Sequence, residues 1–97
     1  MKKHLFVSFI TVLCCMVSFA QEKTVSGTVT DAETGMPIPG ANVMVQNTTK
    51  GAVTDFDGNY SISVEEGVKL LFTYIGYKEK EVVIGAANTV NVSMEIS

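Results

Sequence analysis

Residues 54–62 have the sequence TDFDGNYSI, and whether they form a metal-binding loop or a turn before a strand decides the fold of this chain. Asp55, Asp57 and Asn59 stand on alternate positions, as the oxygen ligands do in the first half of an EF-hand calcium loop. Counted from Asp55, Glu66 falls on the last position of such a loop, where a bidentate carboxylate is needed. These side chains are therefore a candidate calcium site, which has to be weighed against a simple turn.

The rest of the stretch favours the turn. An EF-hand loop needs glycine at its sixth position, but Tyr60 stands there and Gly58 comes two residues early. The letters YSISV alternate apolar and polar side chains as a strand does, and a strand would place Glu66 roughly 20 Å from Asp55. We therefore predict a hairpin turn in which an aspartate accepts hydrogen bonds from nearby amides and Gly58 takes a positive φ.

The same period of two runs through the chain from residue 23 onward. Seven short segments are rich in β-branched or aromatic residues and are separated by Gly, Pro, Asn or Asp. They are KTVSGTVTD, ANVMVQNT, GAVTD, NYSISV, KLLFTYIG, YKEKEVVI and TVNVSMEI. Pro37 and Pro39 fall between the first two segments, which suits a crossing loop in which Ile38 covers one end of the core. The pattern predicts an all-β fold, a seven-stranded β-sandwich that forms a single domain over residues 21–97.

The first 20 residues, MKKHLFVSFITVLCCMVSFA, have the composition of a secretory signal peptide. Two lysines precede an apolar run that ends in small residues, the arrangement that a signal peptidase requires. The run is too short for a membrane-spanning helix, which needs roughly 20 apolar residues. Lipoprotein processing at either cysteine is the other export route, but the small residues expected before the cysteine are missing. We therefore predict export, with cleavage after Ala20.

Cleavage there would remove His4 and both cysteines of the chain. Residues 21–97 contain no His, Cys, Trp or Arg, and five lysines face ten carboxylates, a formal charge of −5. Imidazole or thiolate metal sites and Ser-His or Cys-His nucleophile pairs are thereby excluded, and an acidic surface repels nucleic acid. Glu65 and Glu66 are expected in a solvated turn and not as an acid–base pair. We expect a non-catalytic domain that needs no cofactor.

Turn and strand signals follow one another in a characteristic order between residues 24 and 96. They are Gly27, Asp31, Pro37, Gly40, Gly51, Asp55, Gly58, Tyr60, Gly76 and Tyr77. In order and spacing this series resembles the carboxypeptidase regulatory-like domain, and specifically its copy at the N-terminus of SusC/RagA-type TonB-linked outer-membrane transporters of Bacteroidota. The resemblance implies a Greek-key, transthyretin-like (Ig-like) sandwich. It also implies that TDFDGNY is a hairpin turn, with Tyr60 pointing inward, and not a set of metal ligands.

The resemblance implies a part in nutrient uptake. In that family the sandwich lies in the periplasm ahead of a TonB box, a plug and a large β-barrel, and the whole receptor imports glycans or peptides. The 97 residues include neither plug nor barrel. We expect an accessory module, exported to the periplasm and associated with the outer membrane. Its expected partner is a periplasmic or outer-membrane protein, either the TonB system or the plug or barrel of a receptor.

A second hypothesis is a free-standing exported module that binds carbohydrate or acts as an adhesin. Its partner would be a glycan, and Phe56 would supply the aromatic surface, because this side chain lies in a turn and has no evident reason to be buried. Phe72 and Tyr74 share one face of a strand, so we expect both in the core.

The segment KEKEVVIGA, residues 78–86, resembles the acidic-plus-valine strand by which receptors pair with TonB through strand addition. It stands between the YIGY turn and the last strand. We therefore expect residues 81–84 to form an internal strand with neighbours on both sides, which leaves no free edge for a partner.

Overall fold

A computed structural model describes residues 22–97. The predicted signal peptide, residues 1–20, lies outside the described residues, and its cleavage stays a prediction. The described part forms seven strands: β1 Lys23–Asp31, β2 Asn42–Val45, β3 Gly51–Val53, β4 Asn59–Val64, β5 Lys69–Thr73, β6 Lys80–Val83 and β7 Val92–Met94. Within residues 22–97 there is no helix long and apolar enough to cross a membrane.

The strands form two sheets, with the orders β4-β1-β7 and β3-β2-β5-β6. β1 is the central strand of the three-stranded sheet. Its first six residues pair antiparallel with β4, from Lys23 opposite Val64 to Thr28 opposite Asn59. Its last three residues pair in parallel with β7, from Val29 opposite Val92. The predicted all-β sandwich of seven strands is confirmed.

The core lies between the two sheets and follows the alternation seen in the sequence. In β4, Tyr60, Ile62 and Val64 are buried while Ser61 and Ser63 are exposed. The ring of Tyr60 packs edge-to-face on Phe72 of the opposite sheet, with ring centroids 5.3 Å apart. Each fully buried aliphatic or aromatic side chain contributes about 1.5–3 kcal/mol. Among the described residues, which contain no cysteine, this apolar burial is the main source of stability.

The turn at residues 54–58 differs from the predicted hairpin. β3 before it pairs with β2 in one sheet, and β4 after it pairs with β1 in the other. The turn is therefore an arch that connects the two sheets. The sequence indicates a tight turn correctly, but the strand partners depend on long-range register, in this case the six residue pairs between β1 and β4.

β6 is an edge strand, so the prediction of neighbours on both sides was wrong. It pairs with β5 alone, because the last strand, β7, joins β1 in the other sheet instead of lying beside β6. Lys80 and Glu81 at the start of β6 are exposed. Charged side chains of this kind discourage pairing with a further strand.

Four segments meet at one end of the sandwich, which we call the upper end. They are residues 31–41, 54–58, 74–79 and 95–97, the first of which begins at the last residue of β1. Backbone hydrogen bonds connect them: the Gly40 amide donates to the Thr54 carbonyl at 3.0 Å, and the Lys78 amide donates to the Glu95 carbonyl at 2.8 Å. The Ser97 amide donates to the Gly76 carbonyl at 3.0 Å. The turns at residues 46–50, 65–68 and 84–88 lie at the opposite end.

Gly27 lies where the segment before β7 passes over β1. A Cβ atom at this position would be 1.8 Å from the carbonyl oxygen of Val90. The same segment is fixed to β1, because the Val90 amide donates to the Ser26 carbonyl at 2.8 Å. Only glycine allows this approach of two backbones.

We predict that Gly27→Ala lowers the free energy of unfolding by about 2–3 kcal/mol, because the methyl group can be accommodated only by moving backbone. The measurement is urea denaturation followed by circular dichroism. Gly85→Ala is the matched control, since a Cβ atom there would meet nothing within 4 Å. Equal stability of the two variants would contradict the role given to Gly27.

Candidate interaction surface

Seven of the ten motif residues identified in the sequence lie at the upper end of the sandwich, and the other three lie along the strands. Those at the upper end are Asp31, Pro37, Gly40, Asp55, Gly58, Gly76 and Tyr77. Those along the strands are Gly27 in β1, Gly51 at the start of β3 and Tyr60 in β4. The structure therefore brings together residues that are up to 46 positions apart in the chain.

Asp31 and Tyr77 form a hydrogen-bonded clamp between the end of β1 and the 74–79 segment. The Tyr77 hydroxyl donates to Oδ2 of Asp31 at 2.6 Å, and Oδ1 accepts from the amides of Glu33 at 2.8 Å and Thr34 at 3.1 Å. The bond from Tyr77, followed by those from the two amides, lowers the pKa of Asp31. The same bond is the main cause that raises the pKa of Tyr77. Both carboxylate oxygens are therefore engaged in fixing the loops.

The candidate calcium ligands form the turn itself. Oδ1 of Asp55 accepts from the amides of Asp57 and Asn59, each at 2.9 Å, and the Asp55 carbonyl accepts from Gly58 at 3.0 Å. Gly58 has φ of +76°. The side-chain oxygen of Asn59 accepts from the Thr28 hydroxyl at 2.7 Å. Within residues 22–97 there is no group of three or more Asp, Glu, His or Cys side chains that could hold a metal ion.

Gly58 is also the point at which the 54–58 arch meets β1 and the proline-containing loop. The Val29 amide donates to its carbonyl at 2.8 Å. A Cβ atom on Gly58 would lie 2.6 Å from the Val29 carbonyl oxygen and 2.9 Å from Cβ of Pro37. The positive φ and the close contacts both require glycine at this position.

Thr54 fixes the proline-containing loop to the end of β3, a role that sequence analysis did not assign to it. Its side chain is buried, and Oγ1 donates to the Ile38 carbonyl at 2.6 Å while it accepts from the Ala41 amide at 2.9 Å. Ile38 is buried in turn and covers the end of the core. The available signal was the period of two, because Thr54 follows the half-buried Ala52 on the same face.

Large apolar side chains project from these fixed loops into solvent. Phe56, at the tip of the 54–58 arch, is 92% exposed, and Ile75, in the 74–79 segment, is 94% exposed. The other exposed apolar residues at the upper end are Met36, Tyr74 and Ile96. We call these five side chains the apolar end patch. All five lie on loops at the same end of the sandwich, and exposed apolar side chains that share one surface are typical of sites that contact another molecule.

Tyr74 is not in the core, contrary to the prediction that paired it with Phe72. Phe72 is fully buried, whereas Tyr74 is 39% exposed and its ring lies against Tyr77 with centroids 5.9 Å apart. The reason is that β5 ends at Thr73, so the alternation of the strand no longer determines where residue 74 points.

A shallow depression of about 320 Å³ lies beside Phe56. It is lined by Pro39, Gly40, Thr54, Asp55 and Phe56. The surroundings are acidic, because Asp55 and Asp57, on either side of Phe56, are exposed. Neither of them forms a salt bridge with a lysine of residues 22–97. The upper end therefore combines apolar contact area with negative charge.

Comparison with known proteins identifies the family. A family model described as the CarboxypepD_reg-like domain matches residues 25–97. This chain belongs to the CarboxypepD_reg-like domain family. The resemblance found in the sequence is thereby confirmed, and the match includes the whole upper end and all seven strands except the first two residues of β1.

Relatives of this CarboxypepD_reg-like domain occur in TonB-dependent receptors. The chain is 45% identical over 78 residues to TonB-dependent receptor P3 of Formosa agariphila, which is 79% of this chain and 8% of that receptor. It is 46% identical over 69 residues to TonB-dependent receptor SusC of Bacteroides thetaiotaomicron, which is 71% of this chain and 7% of that receptor. The chain therefore spans a small part of the length of the curated relatives it matches.

Solved structures include similar β-sandwiches. One is a chain in the crystal structure of a type II cohesin–X-dockerin complex from Acetivibrio cellulolyticus, a C-terminal interface mutant. The TM-score is 0.56 with 28% sequence identity, over 73% of this chain and 52% of that chain. The N-terminal interface mutant of the same complex gives a TM-score of 0.53.

Tyr60 connects the CarboxypepD_reg-like core to the segment that passes over Gly27. Its ring is buried, and its hydroxyl donates to the Val90 carbonyl at 2.6 Å. Burial raises the pKa of Tyr60 to about 12. The folded state therefore favours the protonated phenol more strongly than the unfolded chain does.

We predict that the Asp31 clamp makes stability depend on pH on the acid side. Folding lowers the pKa of Asp31. The contribution of its carboxylate to the free energy of unfolding is therefore complete above the pKa of the unfolded chain, about 4, and is lost as pH falls through the lower pKa of the folded state. Asp31→Asn should be less stable than the wild type at pH 7 and should lose less stability from pH 5 to pH 2. The measurement is urea denaturation across this range. Asp57→Asn, a substitution at an exposed site, is the control. Equal losses of stability between pH 5 and pH 2 in the wild type and in Asp31→Asn would contradict the role given to the clamp.

A second pH dependence is expected on the alkaline side. Folding raises the pKa of Tyr60 to about 12. The contribution of its hydroxyl group to the free energy of unfolding is therefore complete below the pKa of the unfolded chain, about 10, and is lost as pH rises toward 12. Tyr60→Phe should remove a stability loss of about 2 kcal/mol over this range, at the cost of about 1 kcal/mol for the hydrogen bond at neutral pH. Guanidinium denaturation at several pH values measures both effects. Tyr74→Phe, at a partly exposed ring, should keep the wild-type profile; unchanged alkaline sensitivity in Tyr60→Phe would refute the assignment.

Proposed function

We propose that this chain is a non-catalytic module of a SusC-type TonB-dependent uptake system that docks through its upper end onto a receptor or onto the TonB system. Support comes first from the identity of 45–46% to TonB-dependent receptors over most of the chain. The observation that points to the upper end is the grouping of most motif residues there, beneath the apolar end patch.

The upper end suits docking because its loops are fixed before any partner binds. Phe56 is presented by a turn that Asp55 closes with two side-chain hydrogen bonds. Ile75 stands next to Gly76, whose carbonyl accepts from Ser97, and two residues from the tyrosine of the Asp31 clamp. Preformed loops lose little conformational entropy on binding, so more of the contact energy appears as affinity.

Ser97 belongs to the same set of fixed contacts, because its amide donates to the Gly76 carbonyl at 3.0 Å. In receptors that carry such a domain and a plug in one chain, the covalent link would give the two parts a high effective concentration for each other, and a weak contact would then be sufficient. We therefore favour the plug or barrel of a receptor as the partner, since the relatives of this chain are TonB-dependent receptors, with the TonB system next.

The proposed absence of catalysis rests on the state of the titratable groups. Both carboxylate oxygens of Asp31 are hydrogen-bonded, and these bonds lower its pKa. A general acid at neutral pH needs the opposite change. The proposed location, in the periplasm at the outer membrane, follows from the predicted signal peptide and from the receptors that the chain resembles.

The test is a binding titration with two defined partners. One is the Bacteroides thetaiotaomicron receptor SusC without the 69 residues that match this chain, and the other is a C-terminal TonB domain. The wild-type chain should bind at least one of them, and Phe56→Ser combined with Ile75→Ser should weaken binding at least tenfold, as expected for exposed apolar anchors.

Val83→Ser is the control, because Val83 is also apolar and is 64% exposed but lies on β6 and not at the upper end. It should bind as the wild type does. Docking at the upper end is disproved if neither partner binds at millimolar concentration, or if Val83→Ser weakens binding as much as the double variant.

A glycan-binding module is the second candidate function. The depression beside Phe56 combines an exposed aromatic ring with the carboxylate of Asp55, and sugars stack on such rings while their hydroxyl groups bind such carboxylates. In a glycan-array experiment, retention that is lost in Phe56→Ala but kept in Ile75→Ser would favour this candidate over docking. Absence of retention at millimolar glycan would remove it.

A further inference from the structure

The free edge of β4 is the longest unpaired strand edge in residues 22–97. β4 has six residues and pairs on one side only, with β1. The other edge strands are shorter, with three residues in β3, four in β6 and three in β7. The outward amide and carbonyl groups of Ser61 and Ser63 on this edge are available to a partner strand.

Most outward-facing backbone groups of β4 have no partner in the described part of the chain. In an antiparallel pair about half of the amide and carbonyl groups point away from the neighbouring strand. Asn59 is engaged on this side, because its carbonyl accepts from the Asp55 amide at 3.0 Å and its amide donates to Oδ1 of Asp55 at 2.9 Å. The outward groups of Ser61 and Ser63 form no backbone hydrogen bond with the described residues. The side chains of Ser61 and Ser63 are exposed and uncharged, so they do not obstruct the edge.

The edges of β4 and β6 are protected to different degrees. Exposed strand edges are usually blocked by charged side chains, proline or a bulge, because an open edge attracts other strands. β6 begins with Lys80 and Glu81, and Glu81 pairs with Lys69 at 3.5 Å. β4, with the sequence NYSISV, contains no charged residue and no proline, and its register with β1 is continuous.

Charge at both ends of β4 indicates which occupant fits. Asp55 and Asp57 precede the strand, and Glu65 and Glu66 follow it. Nζ of Lys23 lies 3.5 Å from Oε1 of Glu66. The other three carboxylates form no salt bridge with a lysine of residues 22–97. In an antiparallel pair of two copies, the aspartates of one would face the glutamates of the other, and like charges opposed across strands are destabilising. The edge therefore disfavours a second copy and favours a strand with basic ends.

We propose that the free edge of β4 binds, by strand addition, an extended segment of a partner protein with lysine or arginine at both ends. The backbone of the segment would continue the sheet as a fourth strand, and its inward-facing side chains would cover the half-buried Ala52 of β3, which contacts β4 across the sandwich. Because both ends of the edge are acidic, the segment can run in either direction. This surface runs along β4 and shares only Asp55 and Asp57 with the upper end. It does not depend on the docking proposed there.

The test uses three synthetic peptides and the full chain. The first has a core of alternating threonine and valine with two lysines at each end, the second has glutamates in place of the lysines, and the third is the first with alternate backbone amides N-methylated. At low salt the lysine peptide should bind at least tenfold more tightly than the glutamate peptide, and high salt should reduce this difference. The N-methylated peptide should not bind, because it lacks the donors for the ladder.

Protein variants locate the site. Ser61→Lys combined with Ser63→Lys should weaken binding of the lysine peptide at least fivefold, after circular dichroism has shown that the fold is kept. Lys80→Ser combined with Glu81→Ser, which removes the charges of β6, should bind as the wild type does. Phe56→Ser combined with Ile75→Ser should also bind the peptide normally, so failure of docking and failure of strand addition are distinguishable.

Four results would overturn the proposal. The first two are equal affinity for the lysine and glutamate peptides and undiminished binding of the N-methylated peptide. The third is binding that depends on Lys80 and Glu81 instead of Ser61 and Ser63. The fourth is a dimer of the free chain that forms with rising concentration in sedimentation experiments and is abolished by the two serine substitutions.

Discussion

The close approach of the Val90 segment to β1 is the contact on which the rest of the sandwich depends. Gly27 leaves room for this backbone, the Val90 amide binds Ser26, and the Val90 carbonyl accepts from Tyr60. The contact brings the chain into position for β7, and the ring of Tyr60 continues into the core against Phe72 of the other sheet. Gly27, Tyr60 and Val90 thus connect three strands of one sheet with the centre of the other.

Local pattern in the sequence predicted the strands well because alternation is a property of neighbouring residues. All seven segments contain a strand, and the glycine at position 58 has the positive φ that the turn required. The sequence pattern does not predict which sheet each strand joins, because this depends on contacts between segments that are distant in the chain. The sequence pattern therefore predicts a hairpin at residues 54–58 and an internal strand at β6, whereas the 54–58 turn connects the two sheets and β7 leaves the sheet of β6 to pair with β1. Tyr74 was misplaced for a related reason, since β5 ends one residue earlier.

The interaction surface was only partly accessible from the sequence. Composition alone excluded imidazole and thiolate chemistry from residues 21–97, and the position of Phe56 in a turn indicated its exposure. Ile75 gave no such signal, because it continues an apolar run that reads as strand. The Asp31–Tyr77 bond joins residues 46 positions apart, and only the resemblance to a family suggested that both mattered. Thr54 shows the limit of residue type as a guide, since a buried threonine and an exposed one look the same in sequence.

The parallel pairing of β1 with β7 has a mechanical consequence. The first and last strands lie side by side and point the same way, from Val29 opposite Val92 to Asp31 opposite Met94. Tension applied between the two termini therefore pulls these strands in opposite directions along their length. The hydrogen bonds between them are sheared together instead of being opened one after another, and the Val90 contacts with Ser26 and Tyr60 share the same load. The force needed to separate these two strands by pulling on their outer ends is therefore higher than the stability of the sandwich against heat or denaturant would indicate.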